Sequence, residues 1–346
     1  MVGSSRLASL VMFAALSSAS AETRRDRALK AITNLVDHEK RLKRSGVLDR
    51  SGNSFFWRHH RKRARGVVML VHGFPGKPDA GIHLARRLFR EGYDVFGARQ
   101  AGHGHAAPDG GREFATLPRS GSGRYERRMD RLLGLLSDYS KTSKVHLLGL
   151  SLGGTAVTWM AAQHPEKVGS LQLYAPFFKG HDRRGWRRLQ RLDRRERRSR
   201  DFGETLSRVP FGAVEASAAQ QPYVSMSNLL AAARWAKKTR VKALHSLAHR
   251  ADRPRALVVN TAADMVCDNA ASEQVGRQIG ARILEVRHSR VIHPMWYLTG
   301  RLRHRNGPGA TAVPKLLGDV AVGFLQGRGG LIDAHLGSGL LVEKRR

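Results

Sequence analysis

The stretch Val145-His146-Leu147-Leu148-Gly149-Leu150-Ser151-Leu152-Gly153-Gly154 decides the fold. Its first half is an apolar run that predicts a buried strand, and the residues that follow it predict a helix. The pattern Gly-x-Ser-x-Gly therefore falls on a sharp strand-to-helix turn, which is the context of a nucleophile elbow. Gly149 and Gly153 leave room for closely packed backbone, and the helix start directs N–H groups toward a developing oxyanion. The stretch predicts Ser151 as a nucleophile.

Length and composition bound the class of protein. The chain has 346 residues, with 61 Lys and Arg against 28 Asp and Glu, which gives a formal net charge of +33. The length is sufficient for one large α/β core, or for a core with an inserted lid. The charge favours contact with nucleic acid, an acidic membrane face or an anionic cell envelope, and it says nothing about the fold. Cys267 is the single cysteine, so an intramolecular disulfide is excluded, and we interpret it as a small buried hydrophobe.

The first 21 residues have the pattern of an export signal. Arg6 provides a positive charge, residues 7–16 form a short apolar core, and Ala19-Ser20-Ala21 is a small-residue cleavage box. The apolar core is too short to span a bilayer comfortably. We therefore expect cleavage near Ala21 and a periplasmic or secreted protein; the alternative is a retained N-terminal helix. Residues 22–54 are predicted to form a basic, partly helical leader.

Alternating strand and helix patterns predict an α/β fold with a mostly parallel sheet covered by helices on both faces. The core is assigned to residues 55–175 and 255–326, and its last strand to residues 282–286. Residues 327–346 are a C-terminal tail to which no role is assigned. Internal repeats are absent from the sequence.

The segment His72-Gly73-Phe74-Pro75-Gly76 follows the apolar run at residues 67–71. It is predicted to be a loop at the carboxyl edge of the sheet, where α/β proteins place their sites. The backbone N–H groups of Phe74 and Leu152 are expected to form an oxyanion hole. We interpret His72 as a structural histidine that holds the loop by hydrogen bonding; the alternative is a catalytic base. His72 and the Gly102-His103-Gly104 turn lack acidic residues at ligand spacing, so we expect no metal and no other cofactor.

Three motifs together resemble the α/β-hydrolase superfamily: residues 72–76, Gly102-His103-Gly104 and residues 149–154. Within the superfamily they are most similar to bacterial carboxylesterases and monoacylglycerol lipases, and the resemblance covers about residues 55–326. It implies an α/β-hydrolase fold with an inserted helical lid, and a first strand at Phe55-Phe56-Trp57. It also implies a serine hydrolase that cleaves carboxylic esters, either acyl lipids or short-chain esters, through an acyl-enzyme.

A catalytic triad in this fold requires an acid and then a histidine after the serine. Asp264 directly follows the buried strand predicted at residues 256–261, so we predict it to be the acid. Asp268, which lies further into the following helix, is the alternative. Asp252 precedes the strand and belongs to the opposite end of the sheet.

The base is predicted from the loop that follows the last core strand. His293 lies in that loop, from which it can reach Ser151, and His288 is the alternative closer to the strand. In this interpretation His293 removes the hydroxyl proton of Ser151, and Asp264 orients the imidazole.

Residues 176–254 interrupt the α/β rhythm and are assigned to an inserted lid. The segment Arg183–Arg200 contains ten arginines, and Trp186, Leu189 and Leu192 recur at every third position. One hypothesis is contact with an anionic membrane or envelope surface; the other is a solvated lid helix whose apolar stripe packs on the core. Nucleic acid is disfavoured as a partner, because the sequence has no recognised nucleic-acid-binding module.

Two other functions stay open from the sequence. A peptidase or amidase uses the same triad, and the fold does not separate it from an esterase. A hydrolase-fold protein that binds the envelope without catalysis is the second, and the presence of Ser151, Asp264 and His293 argues against it.

Overall fold

The computed structural model describes residues 22–60, 63–74, 76–104, 123–181, 191, 206–208, 223–264, 266–287 and 307–344. The strands are β1 (Phe55–Trp57), β2 (Val67–Val71), β3 (Asp94–Ala98), β4 (Val145–Leu150), β5 (Val168–Tyr174), β6 (Leu206–Arg208), β7 (Tyr223–Ser225), β8 (Arg255–Thr261), β9 (Arg282–Val286) and β10 (Leu341–Glu343). The helices are α1 (Arg24–Arg44), α2 (Ile82–Arg90), α3 (Gly123–Tyr139), α4 (Leu152–Gln163), α5 (Met226–Leu247), α6 (Asn269–Gln278), α7 (Gly307–Gln326) and α8 (Gly329–Leu336). Short 3₁₀ turns lie at Pro78–Gly81 and Pro165–Lys167.

Eight of these strands form one sheet in the order β1-β3-β2-β4-β5-β8-β9-β10. The six inner strands are parallel, and the two edge strands β1 and β10 run antiparallel to their neighbours. The predicted α/β fold with a mostly parallel sheet is confirmed. The prediction that the sheet ends at residues 282–286 is wrong, because β10 adds a further strand beside β9. A three-residue strand in a glycine-containing tail has too short an apolar pattern to be recognised in the sequence.

The two faces of the sheet are covered by different helices. Along β2, Val67, Met69 and Val71 belong to one apolar cluster, whereas Val68 and Leu70 belong to the other. This alternation follows from the two-residue period of a strand, and it explains why inner strands read as continuous apolar runs. Helices α1, α3, α4, α5 and α6 contribute to the first cluster, and α2, α7 and α8 to the second. Each fully buried aliphatic side chain stabilises the fold by about 1.5–3 kcal/mol.

The leader predicted at residues 22–54 contains a helix that packs on the core. Helix α1 begins at a capped end, where the Thr23 hydroxyl accepts a hydrogen bond from the Asp26 N–H (3.1 Å). Its buried positions recur at helical spacing: Ala28, Ile32, Val36 and Glu39. The first three belong to the same apolar cluster as residues of α3.

Part of the region assigned to the lid is described. Helix α5 packs against α4, and the Trp235 indole donates a hydrogen bond to the Glu126 carboxylate (3.0 Å). The arginine-rich segment Arg183–Arg200 lies outside the described residues apart from Arg191, so the lid stays a prediction. Residues 1–21 also lie outside them. Of the helices that the structure describes, none combines the length and the apolar character needed to cross a membrane.

Candidate active site

Ser151 occupies the turn between β4 and α4 in an unusual backbone conformation. Its φ of 52° and ψ of −121° lie outside the regions that residues with side chains normally populate. Backbone hydrogen bonds hold the turn: the Ser151 N–H donates to the carbonyl of Tyr174 (2.9 Å), and the Ser151 carbonyl accepts from the Phe177 N–H (2.9 Å). Such a conformation costs on the order of 1–3 kcal/mol and persists only where its surroundings impose it. The strain marks this turn as a candidate functional site.

Three glycines allow backbone to pack directly around the turn. A Cβ on Gly149 would lie 2.3 Å from the carbonyl oxygen of Gly153, and a Cβ on Gly153 would lie 2.1 Å from that of Val71. A Cβ on Gly73 would lie 2.9 Å from the Cβ of Ser151. The loop after β2 therefore lies against the serine itself.

The backbone N–H groups predicted for the oxyanion hole belong to this loop and to the start of α4. Leu152 is the first residue of α4, and Phe74 is partly buried with its ring 5.5 Å from that of His103. No group in the described part of the chain accepts a hydrogen bond from the backbone N–H of Phe74 or Leu152. Two donors of this kind beside a serine can stabilise negative charge on a carbonyl oxygen.

His72 holds the loop after β2 in place through hydrogen bonds. Its Nδ1 lies 2.8 Å from the Gly73 carbonyl oxygen, and its Nε2 accepts a hydrogen bond from the Gln100 N–H (3.4 Å). The Gln100 side chain donates to the His72 carbonyl and accepts from the Tyr125 hydroxyl. Burial lowers the pKa of His72 well below its ordinary value, and the neighbouring His103 and Arg99 lower it further. His72 is therefore neutral at physiological pH, with both ring nitrogens engaged in holding the loop.

Asp264 lies just beyond the carboxyl end of β8 and is 3% exposed. Its Oδ1 accepts hydrogen bonds from the backbone N–H groups of Val266 and Cys267, both at 2.8 Å. The alternative acid, Asp268, caps α6 through the Ala271 N–H (3.2 Å) and pairs with Lys179. Burial opposes ionisation of Asp268, but these partners outweigh it and lower the pKa. Asp268 thus acts as the N-cap of α6.

Cys267 lies at the candidate site, which the sequence did not reveal. Its thiol is fully buried, donates to the Ala175 carbonyl oxygen (3.3 Å) and lies close enough to the Ser151 side chain for the two to interact. Burial raises the pKa of the Cys267 thiol well above its ordinary value, and the charges of Asp264 and Asp268 add to the effect. The thiol therefore stays protonated. Its place three residues after a predicted acid was the one available signal.

The structure brings Ser151, the loop at residues 72–74, Asp264 and Cys267 together at the carboxyl edge of the sheet. Cys267 connects the two predicted triad members, because its N–H donates to Asp264 and its thiol meets Ser151. His293 and His288 both lie outside the described residues, so the identity of the base stays a prediction.

Comparison with known proteins agrees with this geometry. The model of a hydrolase family described as serine aminopeptidase S33 matches residues 62–292. The chain belongs to this α/β-hydrolase family. The superfamily resemblance carried by the three motifs is thereby confirmed.

Curated relatives match over shorter segments. Lipase 1 of Psychrobacter immobilis is 31% identical over 123 residues, which is 36% of this chain and 35% of the relative. The thermostable monoacylglycerol lipase of Bacillus sp. (strain H-257) is 30% identical over 108 residues, which is 31% of this chain and 40% of the relative. The matched segments thus span well under half of each relative.

Solved structures share the fold over most of the chain. A soluble variant of monoglyceride lipase from Saccharomyces cerevisiae superposes with a TM-score of 0.55 at 14% identity, covering 71% of this chain and 87% of that one. The monoacylglycerol lipase of Paleococcus ferrophilus superposes with a TM-score of 0.53 at 16% identity, covering 76% of this chain and 98% of that one. At these identities the likeness supports the fold alone.

Proposed function

We propose that this protein is a serine hydrolase that cleaves carboxylic esters, with acyl lipids or short-chain esters as substrates. The observation that carries the proposal is the strained Ser151 on a strand-to-helix turn, faced by the loop at residues 72–74. Lipase names among the curated relatives support the ester class. The buried Asp264 beyond β8 supports a triad.

The proposed reaction uses a Ser151, Asp264 and His293 triad. His293 takes the hydroxyl proton as the Ser151 oxygen attacks the ester carbonyl carbon, and Asp264 stabilises the resulting imidazolium. The N–H groups of Phe74 and Leu152 stabilise the oxyanion. Collapse expels the alcohol, which takes the proton from His293 and leaves an acyl-enzyme. A water molecule then gives a proton to His293 as its oxygen attacks the acyl carbon. The Ser151 oxygen leaves as the bond to the acyl carbon breaks, takes that proton from His293, and the carboxylic acid is released.

The name of the family makes an aminopeptidase the second candidate. Such an enzyme needs an anionic group that receives the ammonium group of its substrate. The two carboxylates after β8 already have partners: Asp264 accepts from Val266 and Cys267, and Asp268 pairs with Lys179. Of the described residues, neither of these two carboxylates is therefore left to receive a substrate ammonium group.

Labelling with a fluorophosphonate tests the proposal. We expect Ser151→Ala and His293→Ala to abolish labelling, and turnover of p-nitrophenyl esters to fall at least about 10⁴-fold in each. Ser143→Ala is a matched control, because Ser143 also has a positive φ (55°) but lies at the opposite end of β4. We expect it to label like the wild type.

The outcome separates the candidate functions. Serine-dependent labelling with turnover of graded p-nitrophenyl esters supports the esterase and defines its chain-length preference. Faster turnover of aminoacyl p-nitroanilides than of any ester would favour the aminopeptidase. Absence of both labelling and turnover would favour a binding protein.

We also propose that the segment Arg183–Arg200 contacts an anionic membrane or envelope surface. Its ten arginines support this. Replacing Arg187, Arg188, Arg191 and Arg194 by glutamine should weaken binding to phosphatidylglycerol vesicles more than it changes turnover of a soluble ester. Equal vesicle binding by the variant would contradict the proposal.

Export is proposed from residues 1–21, with cleavage near Ala21. The test is N-terminal sequencing of protein recovered from outside the cytoplasm. A sequence that begins near Glu22 is expected, and an intact Met1 would contradict export by this signal.

A further inference from the structure

Residues 39–54, the end of α1 and the loop that follows it, contact both loops on the oxyanion side of the site. We call this segment the N-terminal brace. It precedes residue 62, where the match to the family begins. It contacts the loop after β2 (residues 72–77) at one point and the loop after β3 (residues 99–104) at several.

Glu39 is the buried anchor of the brace. It is 1% exposed, and its Oε1 lies 3.0 Å from Nε of Arg99 and also pairs with Arg128. Its Oε2 accepts a hydrogen bond from the Ser54 N–H (2.7 Å). Burial by itself would raise the pKa of Glu39, but the two arginines and the Ser54 N–H outweigh it, so the pKa is lowered. Glu39 is therefore an ionised carboxylate that fixes the side chain of Arg99.

The loop after β3 is bonded to the brace along its length. The Ser54 hydroxyl accepts from the Arg99 N–H (2.9 Å), and the Asp49 N–H donates to the Gly104 carbonyl (3.0 Å). A Cβ on Gly52 would lie 2.0 Å from the carbonyl oxygen of Gly104, so the two backbones are in direct contact. Arg99 itself donates to a carbonyl of the same loop, that of His103 (3.3 Å).

The loop after β2 is held at both ends by this arrangement. At its start, Gln100, the neighbour of Arg99, donates to the His72 carbonyl. At its end, the ammonium of Lys77 lies 2.6 Å from the Asp49 carboxylate, and Lys77 is 3% exposed. Phe74 lies between these two fixed points. A hydrogen-bond donor of an oxyanion hole must be placed to within a fraction of an ångström to be effective.

We propose that the N-terminal brace positions the oxyanion loop, and that Glu39 and Asp49 are positioning residues of this hydrolase. This inference rests on the proposed function. Neither residue touches the substrate; both act through the loops that carry His72 and Phe74. Since the oxyanion forms only in the transition state, loss of the brace lowers kcat and leaves KM nearly unchanged.

The test compares Glu39→Gln and Asp49→Asn with Asp138→Asn in the full chain. Asp138 pairs with Arg24 (2.6 Å) and so also joins α1 to the core, but this contact is remote from both loops. We expect each brace variant to lower kcat for p-nitrophenyl butyrate about 10- to 100-fold at constant KM. Asp138→Asn should keep both constants.

Hydrogen exchange of the same proteins provides a readout independent of turnover. Peptides that cover residues 72–77 and 99–104 should lose protection in the brace variants and keep it in Asp138→Asn. A lower Tm with unchanged kcat, KM and loop protection would overturn the inference and reduce the brace to a stability anchor. If the wild type neither turns over nor labels, the proposed function fails, and the positioning role for an oxyanion fails with it; the exchange data then still show whether the brace orders the loops.

Discussion

Two aspartates four positions apart show how the environment of a single residue assigns its task. Asp264 is buried at the end of β8, and its Oδ1 is held by two backbone N–H groups. Asp268 instead starts α6 and pairs with Lys179. The proposed triad requires an acid fixed near Ser151, and Asp264 accepts a hydrogen bond from Cys267, whose thiol interacts with Ser151.

This difference predicts opposite results for the two Asn variants. Asp264→Asn keeps an oxygen that accepts from Val266 and Cys267, but it loses the charge that stabilises the imidazolium, so kcat should fall about 10⁴-fold. Asp268→Asn should keep kcat and lower the Tm, because it weakens the Lys179 pair and the charge at the start of α6. Kinetics and thermal unfolding of both variants decide the assignment. The reverse pattern would make Asp268 the acid.

At the scale of the element, α4 is buried on every side. All residues from Leu152 to Ala162 are buried, so the helix carries no solvent-facing stripe. In its first turn, Gly153 packs against the end of β2, so closely that its Cα has no room for a side chain. Ser151 therefore lies at the start of a helix that is buried from Leu152 to Ala162, and that enclosure sustains its strained φ.

Two glycine substitutions measure this enclosure. In Gly153→Ala the new Cβ meets the carbonyl oxygens of Val71 and His72 at 2.1 and 2.4 Å, so the free energy of unfolding should fall by about 3 kcal/mol or more. Gly134→Ala on α3 meets no atom within 4 Å and should raise it by about 0.5–1 kcal/mol. Urea unfolding gives both values. If Gly153→Ala left the free energy of unfolding unchanged, β2 and α4 would have to move apart readily.

At the scale of the molecule, 61 Lys and Arg residues outnumber 28 Asp and Glu residues, and some buried carboxylates pair with two cationic side chains each. Asp319 contacts Arg87 (3.3 Å), Lys315 (3.1 Å) and His335 (3.1 Å). Glu39 serves two arginines in the same way. Protonation of such a carboxylate removes a negative partner from two cationic side chains at once, so we expect the fold to be sensitive to acid.

The pH dependence of stability follows from the direction in which folding shifts the pKa values of buried groups. Burial, with a smaller effect of Arg255, lowers the pKa of His146 to about 4, so the unfolded chain takes up this proton first as the pH falls below 6.5. His146 therefore lowers stability progressively between pH 6.5 and 4, by up to about 1.4 kcal/mol per pH unit. Glu39 and Asp319, whose pKa values are lowered despite burial, contribute stability that is lost at still lower pH.

Urea unfolding of the wild type and of His146→Gln at pH 7.5, 6, 5 and 4 checks this dependence. The wild type should lose stability from pH 6.5 downward, and the variant should show a shallower slope between pH 6.5 and 4. Equal slopes would show that His146 does not contribute to the acid response.

The sequence by itself determined the α/β architecture and the elbow. Apolar runs such as residues 67–71 and 145–150, and glycines on both sides of Ser151, are local patterns, because the geometry of strands and tight turns repeats over a few residues. The same reasoning led to Asp264 from its place after a strand. These predictions needed no knowledge of which segments meet in space.

Only the tertiary structure decided the contacts between distant segments. Cys267 meets Ser151 across 116 positions of the chain, Glu39 reaches Arg99 across 60, and β10 joins β9 from a short apolar run in the tail. None of these contacts has a period or a motif, because each depends on the packing of whole helices and loops against the sheet. A buried carboxylate among basic residues reads in the sequence as one more surface charge; the fold alone makes Glu39 an anchor, by removing it from water next to two arginines.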